Sequence, residues 1–161
     1  MARRTIESNI YVYVLVAHEG RFLLVQERKH GQLWYGPAGG HEPGESIGDA
    51  AVRETMEEAG VQVAPVGIVR VDQQWFSKED GLRGWWRFVL LARPVSSIDP
   101  KHHADHHSLG ARWFHPREVP LLPLRHPEVV DLMNLALTAP PRIQLAPGGR
   151  VAWQHDHELR D

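Results

Sequence analysis

The sequence predicts an α/β sandwich built from mixed sheets. Three observations predict it: two strand-like segments open the chain, a sharply bounded helix follows a glycine-rich loop, and further strands precede a late amphipathic helix. Ile10 to Ala17 (IYVYVLVA) is rich in β-branched and aromatic residues and reads as a buried strand. His18-Glu19-Gly20 makes a turn, and Arg21 to Arg28 returns as a second strand. Leu33-Trp34-Tyr35 leads into Gly36-Pro37-Ala38-Gly39-Gly40, where glycines let the backbone approach a ligand closely. The helix starts at Ser46, where Ser46 and Asp49 form a weak capping box, and stops at Gly60, which can take the left-handed conformation past the last turn. A strand over Val66 to Phe76, a polar turn over Ser77 to Gly84 and a strand over Trp85 to Arg93 follow. Val95 to Leu109 reads as irregular, Ala111 to His115 as a short strand, Pro116 to Val119 as a helical turn, and Pro127 to Leu137 as an amphipathic helix ending before Pro140-Pro141. Arg142 to Asp161 offers one hairpin around Pro147-Gly148-Gly149 and a polar tail.

A chain of 161 residues is enough for one domain, burying about 68–70% of its unfolded surface. Hydrophobic content of 42% and charged content of 24% place it among ordinary globular proteins. A net charge of −2 leaves no electrostatic footprint for duplex nucleic acid. No apolar run approaches the roughly 18 residues of a membrane span, and the N-terminus has charge without an apolar core for a secretory signal. The absence of cysteine excludes disulfide and thiol chemistry. Together these features fit a cytoplasmic protein.

Within the central helix, Glu54, Glu57 and Glu58 stand three and four residues apart, which puts their carboxylates on one side. Val52, Met56 and Ala59 fall on the opposite side, where a core is expected. Like charges at this spacing repel by roughly 0.2–0.5 kcal/mol per pair. Either the face is simply solvated, or a hard divalent cation that prefers oxygen ligands holds the carboxylates together.

The surrounding spacing bears on that choice. Gly39, five residues, Glu45, seven residues, Arg53-Glu54, then Glu57-Glu58-x-Gly60-Val61 resembles the Nudix box of the MutT-type Nudix hydrolases, matching eight of its nine defined positions over 23 residues. Thr55 departs from the pattern, standing where the family usually carries a bulky aliphatic residue that packs on the core side. The resemblance covers roughly Ile10 to Leu137 and implies the Nudix fold, an α/β/α sandwich with a mixed sheet and the box helix at the active site. It implies a hydrolase domain over residues 1–140 with a C-terminal extension over 141–161. It also implies cleavage of a phosphoanhydride bond by water, with Mg²⁺ or Mn²⁺ as cofactor. Glu54, Glu57 and Glu58 would bind the metal together with the Ala38 carbonyl. Arg53 would fix the rotamer of a box glutamate, and Glu45 would brace the loop or add a ligand to a second metal. Catalytic roles fall to Glu54, Arg53 and Glu57, with Glu54 the preferred general base.

Outside the box, Arg28 and Arg87 lie on strands expected to line a cleft, where each pairs either with a phosphate or with a surface carboxylate. Trp75, Trp85 and Trp86 flank the polar turn and could stack on a heterocycle, with at least one of them in the core, whereas Trp34, Trp113 and Trp153 are assigned to packing. Family members often carry a late acid before the strand that begins here at Ala111. This chain has Gly110 at that point and Asp105 as the nearest acid, so either Asp105 or a histidine substitutes, or the base lies within the box. The run from His102 to His107 could bind Zn²⁺ or shuttle protons; the preferred reading is a histidine-rich mobile loop. The loop Pro37 to Glu45, the Gln74-Trp75 pair and the Arg87-Phe88 strand start look most like the small Nudix phosphatases, which act on nucleoside di- and triphosphates and on thiamine or hydroxymethylpyrimidine pyrophosphate. The expected partner is a small pyrophosphate or nucleotide, and a homodimer is compatible with the sequence. A catalytically weak nucleotide-binding sensor is the alternative, though such modules usually lose box glutamates and this chain keeps all four.

Overall fold

The computed structural model describes residues 6–79, 81–139, 141, 143–146 and 150–151. Its strands are β1 (Glu7–His18), β2 (Arg21–Glu27), β3 (Trp34–Tyr35), β4 (Ala38–Gly40), β5 (Val63–Lys78), β6 (Gly81–Pro94), β7 (Ser108–Phe114), β8 (Ile143–Ala146) and β9 (Arg150–Val151). Helix α1 spans Ile47–Ala59 and helix α2 spans Glu128–Thr138. The strand order is β3-β2-β1-β6-β5-β8-β9, with β4 also pairing β1 and β7 also pairing β2. Among the described residues only the β1–β6 strand pairing is parallel, beside one isolated parallel bridge between Trp34 and Leu124. The sheet is therefore mixed, as the sequence predicts. No described helix is long and apolar enough to cross a membrane.

Alternation along β1 sorts the core into two layers. Val12, Val14 and Val16 pack with Ala50, Ala51 and Ala59 of α1, while Tyr13 and Leu15 pack with Val129, Leu132 and Met133 of α2. The outcome is the predicted α/β/α sandwich. Trp34 meets Phe114 edge-on at 4.9 Å, and the Trp113 indole donates to the Ile98 carbonyl at 2.7 Å, so both pack as expected. Trp153 and the turn at Pro147–Gly149 lie outside the described residues, although β8 and β9 on either side of that turn pair antiparallel. The segment after Pro140 opens with a strand of the sheet, since β8 pairs β5 at Gly67 and Ile68.

Helix α1 begins and ends where the sequence places it. Ser46 Oγ accepts from the Asp49 N–H at 3.0 Å, Asp49 answers the Ser46 N–H at 3.1 Å, and Gly60 closes the helix at φ 70. Of the expected core face, Ala59 is buried and Val52 packs partly buried against the core, but the face is shifted at Met56. Ala51, Thr55 and Ala59 form the buried stripe, and Met56 is 44% exposed. The small stripe lets α1 approach the sheet closely, and Thr55 is tolerated there because its hydroxyl donates to the Ala51 carbonyl at 2.7 Å. The polar turn over Ser77 to Gly84 is another correction. Ser77 pairs with Leu82 and Lys78 with Gly81, so β5 and β6 form a longer hairpin than their polar residues suggest. An exposed hairpin end needs no apolar alternation, which removes the sequence signal there.

Candidate active site

The shifted face of α1 draws Glu54 and Glu58 inward, one turn apart, against the glycine loop. The Ala38 N–H donates to Glu58 Oε2 at 3.0 Å. A β-carbon at Gly39 would overlap the Glu54 carboxylate, so only glycine permits this approach. β4 holds the loop to β1, with Ala38, Gly39 and Gly40 opposite Tyr13, Val12 and Tyr11.

Arg53 ties the loop to the helix. Its Nε and Nη2 donate to the two Glu45 oxygens at 3.1 and 2.7 Å, Nη2 also to the Gly40 carbonyl at 2.8 Å, and Nη1 to Glu54 Oε1 at 2.8 Å. Glu57 Oε2 lies 3.6 Å from the same Nη1. Glu45 also accepts from the Glu42 N–H at 2.7 Å. Arg53 thus joins Glu45, the Gly40 carbonyl and Glu54 through one guanidinium. At the other end of α1, Lys101 donates to the Glu57 carbonyl at 2.7 Å and Ser108 Oγ to the Glu58 carbonyl at 2.7 Å.

Burial pushes the Glu58 carboxyl up to about 8, against the opposing pull of the Ala38 N–H and with a further push from Glu54. Burial also raises Glu54, although Arg53 opposes it. Hydrogen bonds from Arg53 hold Glu45 below the usual carboxylate range. Among the described residues no three His, Asp or Glu side chains converge on one point as they stand, because Arg53 engages Glu54 and the Ala38 amide engages Glu58. The donor chemistry nevertheless fits a hard divalent cation: every donor is oxygen, and the group carrying the raised proton affinity is the one a dication would discharge.

Beside the loop lies a cavity of about 390 Å³, lined by Tyr11, Tyr35, Ala38, Gly39, Trp85, Arg87 and others. That volume falls within the range of small-molecule sites. Arg87 lies in its wall fully paired: its guanidinium donates to Asp72 at 2.7 Å and to Glu128 at 2.6 and 2.8 Å, and also to the Tyr35 hydroxyl at 3.1 Å. These bonds hold the Glu128 carboxyl down to about 2, chiefly through Arg87. Arg70 joins the network through Glu128 at 3.0 Å. The Arg125 guanidinium sits 5.0 Å from the centre of the Tyr35 ring.

Of the three tryptophans at the hairpin, only Trp85 lines this cavity. Trp75 pairs with Gly84 and Trp86 with Gln73, so both project to the opposite, α1 side of the sheet. Arg28 stands outside it, donating to the Asp105 carbonyl at 2.8 Å. Asp105 is bound into its own loop: Oδ2 accepts from Lys101 at 2.8 Å, and Oδ1 from the N–H groups of His107 and Ser108 at 2.8 and 3.1 Å. Lys101 and those amides hold its carboxyl well below the usual range. His107 Nδ1 lies 3.8 Å from Glu57 Oε2, while His102 pairs with Asp99 at 2.8 Å on the surface. The roles of Lys101, Ser108, Tyr35, Asp72, Glu128 and Arg125 were not legible in the sequence. Apart from the local contacts of Lys101 and Ser108 with Asp105, each meets its partner through the fold, with no local spacing to mark it.

The NUDIX domain model matches residues 7–133. The chain belongs to the NUDIX domain family. Human 8-oxo-dGDP phosphatase NUDT18 is 38% identical over 130 residues, covering 79% of this chain and 38% of that protein's length. Phosphatase NudJ of Escherichia coli is 33% identical over 114 residues, covering 70% of this chain and 72% of that one. A Nudix hydrolase structure from Nitrosomonas europaea superimposes with a TM-score of 0.66 at 28% identity, covering 81% of this chain and 89% of its own. The MutT protein of Bacillus halodurans, at 20% identity and a TM-score of 0.63 over 90% of this chain and 95% of its own, shares the fold.

Proposed function

We propose that this Nudix hydrolase cleaves a phosphoanhydride bond in a nucleoside di- or triphosphate, or a related pyrophosphate metabolite, by attack of water at phosphorus with Mg²⁺ or Mn²⁺ as cofactor. One observation carries the reading: the carboxylates of α1 and the aromatic cavity share a wall, the Ala38–Gly39 segment. A pyrophosphate across that wall would place its organic half against Tyr11 and Trp85 and its phosphates against the box. Relatives named as an 8-oxo-dGDP phosphatase and as a phosphatase support a phosphorylated substrate of nucleotide type.

Glu54, Glu57, Glu58 and the Ala38 carbonyl would hold the metal. When bound, the ion neutralises phosphate charge and activates water. Arg53 keeps Glu54 and Glu45 in one orientation relative to the loop. Glu54 is also the preferred general base, accepting the proton of the attacking water on Oε2, the oxygen that Arg53 leaves. Arg87 does not meet phosphate, because Asp72 and Glu128 neutralise it. With Glu128 it fixes the Tyr35 hydroxyl at the cavity wall, where that hydroxyl can accept from or donate to a polar heterocycle.

The test is a panel of nucleoside di- and triphosphates and cofactor pyrophosphates, followed by phosphorus NMR with Mg²⁺ and with a chelator. Hydrolysis of at least one nucleotide, abolished by the chelator, is expected. Absence of turnover across the panel, or turnover indifferent to the chelator, contradicts the reading.

A further inference from the structure

Among the described residues, the long hairpin of β5 and β6 leaves one edge of the sheet open. β8 pairs β5 at Gly67 and Ile68, the register of β5 slips between Ile68 and Arg70, and residues 70–78 then pair with β6 alone among the described residues. An open strand edge presents a row of unpaired N–H and C=O groups that templates another strand. The same stretch carries large apolar side chains that join neither core: Val71 is 40% exposed and Trp75 is 42% exposed. Both project to the α1 face of the sheet, two places either side of Gln73.

We propose that this edge is occupied by a second copy of the chain, paired antiparallel about a two-fold axis through Gln73. That register sets Val71 of each copy opposite Trp75 of the other, an aromatic against a β-branched side chain, and does so twice by symmetry. Neighbouring registers fail on charge or on burial. Centring on Asp72 places two Asp72 carboxylates face to face, and centring on Gln74 places Arg70 opposite Lys78. Centring on Val71 needs Gly67 and Ile68, which β8 already holds. Centring on Trp75 leaves Val71 opposite Glu79. A register centred between two residues joins the apolar face of one copy to the face of the other that carries Arg87 and Asp72.

The experiment uses the full chain. Sedimentation velocity over a micromolar to submillimolar series is expected to show a species of twice the 18.3 kDa chain mass. Val71→Lys places a charge in each symmetric contact and is expected to weaken the dimer by about tenfold or more. Because the chain contains no cysteine, Gln73→Cys supplies a second readout. Residues on the axis face themselves within disulfide reach, so mild oxidation is expected to link the two copies, while Gln74→Cys does not link. A monomer at every concentration, a dimer indifferent to Val71→Lys, or cross-linking at Gln74 in place of Gln73 overturns the proposal. So does a monomer whose 70–78 amides are protected from hydrogen exchange, which would make the chain's own C-terminal residues the occupant.

Discussion

Gly39 is the residue where sequence and chemistry meet most tightly. It was legible as a box position, but its physical reason is visible only in three dimensions: the Glu54 carboxylate occupies the place of its missing side chain. Gly39→Ala is therefore expected to displace Glu54 and lower kcat about a hundredfold, on the scale of an ångström-sized misplacement, with a small change in Tm. Steady-state kinetics and a thermal melt check it together. Glu58 supplies a pH dependence. Its carboxyl is raised from 4.5 to about 8 by burial, so across that window the folded metal-free protein holds a proton that the unfolded chain releases. Metal-free stability should then fall as pH rises through the window, and Mg²⁺ affinity should rise, because the ion must displace the proton. Titration calorimetry in two buffers of different ionisation enthalpy reads the proton release directly; affinity flat between pH ~5.5 and ~8 contradicts it.

At the scale of elements, the caps of α1 were readable because Ser46, Asp49 and Gly60 act locally, whereas the shift of its buried face was not, because the choice of buried stripe is made by the sheet it docks on. The hairpin shows the same division. Sequence alternation allows only one of Trp85 and Trp86 to face the cleft, and the register selects Trp85. Trp85→Ala is expected to raise KM about twofold to tenfold, the range of one lost stacking contact, with little change in Tm. Trp86→Ala should instead lower Tm and leave KM near its original value. Paired kinetics and melts on both variants decide, and two pure stability mutants would move the stacking platform elsewhere. The loop from His102 to His107 touches the box only through His107 near Glu57, and Asp105 is bound into its own turn. Replacing its four histidines with Ala should change kcat less than about tenfold, below the range typical of a positioned acid or base. A larger loss, or stoichiometric Zn²⁺ in the purified protein, contradicts that assignment.

For the whole molecule, the alternation of strands and helices and the box made the α/β/α sandwich and the carboxylate helix legible. The cavity beside them was not. Its wall joins Arg87 to Glu128 across 41 residues and to Asp72 across 15, and Tyr35 to Glu128 across 93, separations that leave no local pattern. Arg87 illustrates the consequence: as a strand arginine it could be matched to a phosphate, yet two carboxylates that the fold brings to it cancel its charge. The central claim is that the carboxylates of α1 form the hydrolytic centre. Glu57→Gln tests it most directly, since the Glu57 side chain is 36% exposed against 11% for Glu54 and its replacement preserves shape while removing one negative charge. With the best nucleotide from the panel, turnover should fall by about two orders of magnitude, with Tm unchanged or raised; near-native Mg²⁺-dependent turnover in this variant would contradict the account.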